Sequence, residues 1–158
     1  MNIAQNGLHR AMDAKELVFD LTAQITGNIE FGASFDAISS GKAAPPPEGA
    51  RFDLSSEGTV EGPKLKGKAY MMDYANLRAD GRIELHIHGR IDLADGGKVA
   101  LAAEGLATPD PAGIMQLRHT WTLRSNSPTY AWVNSIAVWV SGTVNPANGE
   151  IRLKGYKA

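Results

Sequence analysis

Residues 82–92 read Arg-Ile-Glu-Leu-His-Ile-His-Gly-Arg-Ile-Asp, and their alternation decides the fold class. Ile83, Leu85, Ile87 and Ile91 fall at even spacing, with Arg82, Glu84, His86, His88, Arg90 and Asp92 at the positions between. Successive side chains on a strand point to opposite faces, so this is a strand with one apolar and one polar face. Asp80-Gly81 before it and Asp95-Gly96-Gly97 after it are rich in residues that tolerate positive φ, the closures of antiparallel hairpins. The neighbouring strands therefore pair with it.

Working outward, the same period recurs. Leu17, Phe19, Leu21, Ala23 and Ile25 alternate with polar residues up to Gly27-Asn28, where a bend or strand end is expected. Arg51 to Leu54 is a short strand, and Thr59 to Tyr70 is a strand whose Gly62-Pro63 marks an edge, a bulge or a tight corner. Lys98 to Thr108 follows, interrupted at Glu104-Gly105, and then Met115, Leu117, His119, Trp121 and Leu123 share one face of the next strand. Thr129 to Gly142 reads as a strand apolar on both faces, which places it at a sheet centre or an interface and raises the possibility of a homo-oligomer. Glu150 to Lys157 closes the series after the turn Asn145 to Gly149. Between Ala37 and Gly49, the consecutive prolines Pro45 to Pro47 cannot continue a ladder, so an exposed loop lies there. The count is eight to ten short strands and no long helix, an all-β single domain built as an antiparallel barrel over residues 17–158. Residues 1–16 form an N-terminal arm with at most a short helical turn.

Several short motifs, taken in order, resemble a known family. They are Glu57-Gly58-Thr59-Val60-Glu61-Gly62-Pro63-Lys64-Leu65-Lys66-Gly67, then Asp73-Tyr74, Arg78-Ala79-Asp80-Gly81 and Tyr130-Ala131-Trp132-Val133-Asn134. The chain resembles, from Leu17 to Tyr156, the uncharacterised family named domain of unknown function 3237 (uncharacterised protein family 0311). The resemblance implies a closed antiparallel β-barrel and no particular activity. Two positions depart from the family pattern: Met72-Asp73-Tyr74 stands in place of Gly-x-Asp-Trp, and His86-Ile87-His88 in place of Asp-x-Arg.

Composition narrows the function classes. The chain has 158 residues, 43% of them hydrophobic, enough to bury a core without covalent staples. It has no cysteine, which excludes disulfides, thiolate metal sites and a cysteine nucleophile. A net charge of −1 with interspersed Lys and Arg offers no basic stripe for nucleic acid. No apolar run near the N-terminus resembles a signal peptide and none later spans a membrane, so a cytoplasmic protein is expected.

Candidate chemistry centres on Asp73, set among Ala69, Tyr70, Met71, Met72, Tyr74 and Ala75. Desolvation there raises a carboxyl pKa toward the range of a general base, unless the side chain reaches solvent or pairs with Arg78 or Lys68. His86 and His88 project to one face and can share a metal only with a third ligand such as Glu84 or Asp92. This distantly resembles the first metal motif of the cupins, but Gly81 is too near His86, Asp92 stands where those have Glu, and the second motif's histidine is missing after Pro111-Ala112-Gly113. No metal and no cofactor are therefore expected. The polar face carrying these histidines is either the solvated outside of the sheet or the lining of the lumen, and the resemblance favours the lumen. Tyr130 and Asn134 are candidate donors to a ligand, with Tyr74, Trp132, Arg90 and Glu61 as substrate-binding candidates. His119, on an apolar face, reads as a core histidine. Two functions fit: a cofactor-independent isomerase, cyclase or lyase using Asp73, His86, His88, Tyr130 and Asn134 as catalytic residues on an apolar or aromatic small molecule, and a non-catalytic binding or carrier barrel.

Overall fold

In the computed structural model, residues 15–158 are described; the expected arm falls almost wholly outside them. Eight antiparallel strands close into a barrel in simple sequence order: β1 (Leu17–Glu30), β2 (Ala50–Glu61), β3 (Gly67–Leu77), β4 (Ile83–Leu93), β5 (Lys98–Pro109), β6 (Met115–Arg124), β7 (Ala137–Asn145) and β8 (Glu150–Lys157). β8 pairs back onto β1, so no strand of the ring is left as an edge. At four of the hairpin turns Gly81, Gly96, Gly113 and Gly149 take φ between 73° and 92°, which other residues rarely adopt. Asp80, Asp95, Asp110 and Asn145 brace those turns by accepting backbone N–H bonds two residues on. No helix among the described residues is long and apolar enough to cross a membrane.

Three local expectations change. Gly62-Pro63 lies between two strands, in the β2–β3 loop, because proline lacks the N–H that a central strand requires. Glu104-Gly105 does not interrupt β5, which runs on through both residues. The strand expected over Thr129 to Gly142 begins only at Ala137, and Pro128–Ser135 forms a 3-10 helix with proline in its first turn. Tyr130 and Val133 are buried and Ile136 half-buried, a spacing of three that suits the three residues per turn of this helix. β7 then buries one face only, with Val138 and Val140 inward and Trp139 half exposed under the Lys15 ammonium. β1 passes through Gly27 with a shift of register between Ile25 and Gly27. The loop after it carries one helical turn, α1 (Phe35–Ser39), begun by the Ser34 hydroxyl accepting the Ala37 N–H.

The apolar face of every strand points inward. On β4 this means Ile83, Leu85, Ile87 and Ile91 are inside and Glu84, His88 and Arg90 are exposed outside, with His86 and Asp92 half-buried among them. An eight-stranded barrel is only wide enough for its own side chains, so a row of charged and imidazole groups on every second position has no room to keep its water. One half of the lumen is filled by two large rings. Phe19 and Trp121 stack there with centroids 4.8 Å apart, among fully buried Leu21, Val60, Leu65, Ile91, Val99, Leu123 and Val138. The 3-10 helix stoppers that end with Tyr130 and Val133. Gly155 makes space for this packing: a Cβ on it would stand 2.6 Å from the Phe19 ring.

Candidate functional site

The opposite half, beneath α1, is lined by aliphatic side chains too small to meet across the lumen. A cavity of about 70 Å³ remains, bounded by Ile25, Leu54, Met71, Ile83, Leu85, Ile87, Leu117 and Leu153 and capped by Phe35. Three polar side chains interrupt this lining: Ser56, Asp73 and His119. Each is the one polar residue in an inward row that is otherwise apolar or glycine: Phe52, Leu54, Ser56, Gly58, Val60 on β2; Ala69, Met71, Asp73, Ala75, Leu77 on β3; Met115, Leu117, His119, Trp121, Leu123 on β6. Ser56 and Asp73 lie diagonally on paired strands, since Ser56 is opposite Met71 and Leu54 opposite Asp73. His119 comes from three strands further round, between Gly105 of β5 and Val140 of β7. Gly105 is what lets it in: a Cβ there would collide with the His119 Cβ and the Arg118 carbonyl.

Asp73 sits where β3 and β4 part. Pairing runs to Asp73 opposite Ile87 and resumes at Asn76 opposite Glu84, and in the gap the His86 backbone N–H donates to the Asp73 carboxylate at 3.0 Å. Burial among aliphatic groups pushes the carboxyl up to about 6, against the opposing pull of the His86 N–H and the nearby imidazole. His119 is shifted the other way, down to about 4, by burial alone. Its Nδ1 accepts the Trp121 indole N–H at 3.1 Å. A nitrogen that accepts cannot carry the proton of a neutral ring, so the proton is on Nε2. That Nε2 is buried and has no hydrogen-bond partner among the described residues. Near neutral pH the cavity thus contains a carboxylate and a neutral imidazole with a free donor.

The other residues singled out in the sequence are elsewhere. The hydrogen bond from His86 to Asp73 is from its backbone; its ring, like that of His88, is on the outer face, where His88 stands beside Tyr74 with ring centroids 6.5 Å apart. Among the described residues no three His, Asp or Glu side chains are grouped closely enough to hold a metal ion. Tyr74 is exposed under Arg51, whose guanidinium also lies over Phe31. Arg90 covers the Tyr70 ring from outside and pairs with Asp92, and Glu61 is exposed at the end of β2. Tyr130, Trp132 and Asn134 do not share a strand face and do not reach the cavity. Tyr130 donates to Asp95 at 2.7 Å, Trp132 packs under Lys64, and Asn134 bonds both backbone groups of Ser125. Their work is to hold the closed end of the barrel. Ser56 was passed over, and His119, rightly read as a core histidine, was not read as part of the cavity; the signal for both is a polar residue breaking an apolar period-two row.

No protein-family model matches the chain, and no curated protein is similar to it in sequence. Solved structures are similar in fold. A protein of unknown function from Clostridium acetobutylicum superposes with a TM-score of 0.73 at 24% identity, over 90% of this chain and 96% of that one. A β-barrel-like protein from Acinetobacter baumannii gives 0.71 at 17% identity, over 90% and 94%. An enzyme from Penicillium herquei gives 0.59 at 18% identity, over 90% and 94%. At these identities the likeness establishes the eight-stranded barrel as a fold shared along nearly the full length of each chain.

Proposed function

We infer that the protein binds a small, largely apolar molecule inside the barrel and moves a proton on it, an acid–base reaction of the isomerase, cyclase or lyase type. The observation that carries this reading is the pair Asp73 and His119, two titratable groups in one apolar cavity with pKa values displaced in opposite directions. In the reaction we assign, the Asp73 carboxylate removes a proton from carbon next to a carbonyl. The electrons move to the carbonyl oxygen, where the His119 Nε2–H donates a hydrogen bond to the developing enolate. Return of the same proton from Asp73 to another carbon completes an isomerisation, and loss of a β-substituent completes an elimination. The neutral imidazole suits this role, because it stabilises the oxyanion without surrendering its own proton. The fold shared with the Penicillium herquei enzyme and the motif order resembling the domain of unknown function 3237 family are consistent with a small-molecule barrel.

One observation favours the second reading, a carrier barrel. Asp73 already accepts the His86 N–H, which ties down a carboxylate that a proton acceptor must aim at its substrate. Hydrogen–deuterium exchange separates the two. A panel of small enolisable aromatic ketones such as 2-tetralone is incubated with the protein in D₂O. Catalysed exchange at the α-carbon that disappears in Asp73→Asn, with ketone binding retained, is the expected result. Binding without exchange makes the protein a carrier.

A further inference from the structure

A second cavity, of about 140 Å³, lies directly outside the first. It is roofed by Phe35, Ile38, Ser39 and Pro45 and walled by Phe52, Leu77 and Pro109. Phe35, Ile83 and Met115 line both cavities, so they form the neck between them. Sizes decide what can reach the polar groups. An apolar cavity that holds benzene measures about 150 Å³. The inner cavity is about half of that, and the outer one alone just falls short, whereas the two joined exceed it. A ring-sized molecule can therefore touch Asp73 and His119 only by lying through the neck.

Of the three neck residues, Ile83 and Met115 are buried on β4 and β6, each paired to β5, while Phe35 sits on the single turn of α1. That turn buries none of its residues fully. It is held by an edge-on contact of Phe35 with Phe52, centroids 5.3 Å apart, and by the exposed Glu30 carboxylate accepting the Phe35 N–H at 2.6 Å. Phe35 and Ile38 also pack against the core from this turn, but Gly32 and Gly49, both at positive φ, flank the segment, and a single half-buried turn outside the strand ladder rearranges at less cost than the ring does.

We propose that Phe35 is the specificity-determining residue of the site, a movable wall that admits an uncharged ring-bearing molecule with a hydrogen-bonding oxygen at one end and an apolar substituent at the other. The oxygen goes to Asp73 and His119, and the substituent runs under α1 against Phe52, Leu77 and Pro45. This assignment rests on the reading of Asp73 and His119 as the polar end of the site. It also fixes the sign of the ligand: with a carboxylate inside and no cationic side chain in either lining, an anionic head is repelled.

The test is titration calorimetry with phenol and its 4-ethyl, 4-butyl and 4-hexyl derivatives against the wild type, Phe35→Ala and Phe35→Leu. In the wild type, affinity rises with the short substituents and falls once the chain outgrows the space under Phe35. In Phe35→Ala the optimum moves to the longer chains, with 4-hexylphenol bound at least tenfold more tightly than by the wild type. Phe35→Leu, which keeps an apolar contact with Phe52, shifts the optimum in the same direction by less, and it serves if the alanine variant does not fold. A chain-length profile unchanged by the folded variants, or no binding of any phenol to the wild type, overturns the proposal. Failure of the proton-transfer reading has a different signature: ketone exchange absent, or indifferent to Asp73→Asn, while the chain-length profile still follows residue 35.

Discussion

The indole Nε1–H of Trp121 donates to Nδ1 of His119 at 3.1 Å, two residues back on the same strand and on the same inward face. The tryptophan thereby fixes which imidazole nitrogen carries the proton, and it does so from the packed half of the barrel, out of reach of a ligand. Trp121→Phe keeps most of the ring volume and deletes the donor. It should cost about 1–3 kcal/mol, the range for leaving one buried partner unsatisfied. Nitrogen-15 NMR of the His119 ring should change from a single Nε2–H tautomer to a mixture. A ring that stays wholly Nε2–H in the variant would mean that some other contact sets the tautomer.

The opposed shifts of Asp73 and His119 make a prediction about stability against pH. Between about pH 4 and 6 folded Asp73 retains a proton that the unfolded chain has released, so this group favours folding less as pH rises. Over about pH 4 to 6.5 folded His119 lacks a proton that the unfolded chain binds, so its effect is the reverse, with stability lost as pH falls. The two slopes nearly cancel in the wild type. Asp73→Asn should expose the histidine term, with stability dropping by up to about 1.4 kcal/mol per pH unit on acidification through that window. His119→Gln should expose the carboxyl term, with stability falling as pH rises from 4 to 6. Denaturant titrations at half-unit intervals measure both, and parallel profiles for the two variants would show that the groups are not perturbed in opposite senses.

Substitutions on the outer face of β4 and at the end of β2 should leave the cavity untouched. His88→Ala, Arg90→Ala and Glu61→Gln are expected to change stability by no more than about 0.5 kcal/mol, the usual bound for exposed positions. Ligand affinity should stay within about twofold of the wild type, the equivalent of that energy. The half-buried His86 is expected to behave alike on affinity, because alanine keeps the backbone N–H to Asp73 and removes only the weaker electrostatic pull of the ring. A tenfold loss of affinity in any of the four would put the functional face outside the barrel.

Tyr130 and Asp95 link the 3-10 helix to the β4–β5 turn at the closed end. The Asp95 carboxyl is held below its usual range first by the Gly97 N–H and then by the Tyr130 hydroxyl. Tyr130→Phe should therefore move that carboxyl up toward the ordinary aspartate value while the Gly97 bond persists, which carbon-13 NMR of the carboxyl reads directly. The melting temperature should fall and the phenol chain-length profile should remain as it was, since the closed end and the cavity are in opposite halves. A changed profile would show that the two ends are coupled.

An antiparallel barrel of eight to ten strands was legible because nearly every strand alternates and the tight turns carry a residue that accepts positive φ, and the structure sets the number at eight, in sequence order. The segment 128–135 was not, because two periods coexist in it. Tyr130, Trp132 and Asn134 alternate as a strand would, while Tyr130, Val133 and Ile136 repeat every three, and only Pro128 at the start tips the choice toward a helical turn. For the site, period and environment indicated Asp73 as an acid among apolar neighbours. The orientation of His86 and His88 needed the closed ring, since a two-faced strand in an open sheet can turn either side to water. His119 was hidden by its own good packing. Half of its ring is satisfied by Trp121, and that bond is what leaves the other half free.

The seam where the ring closes lets the chain be cut elsewhere. The Lys157 N–H donates to the Glu16 carbonyl at 2.9 Å, so the two ends of the barrel domain lie side by side. Each of the other strand pairings joins sequence neighbours. A short linker from residue 158 to residue 15, with a new start opened at the exposed Arg78 to Arg82 turn, would present the same eight strands in the same circular order. Which strand comes first is then a property of the gene, while the cavity and its three polar groups belong to the circle.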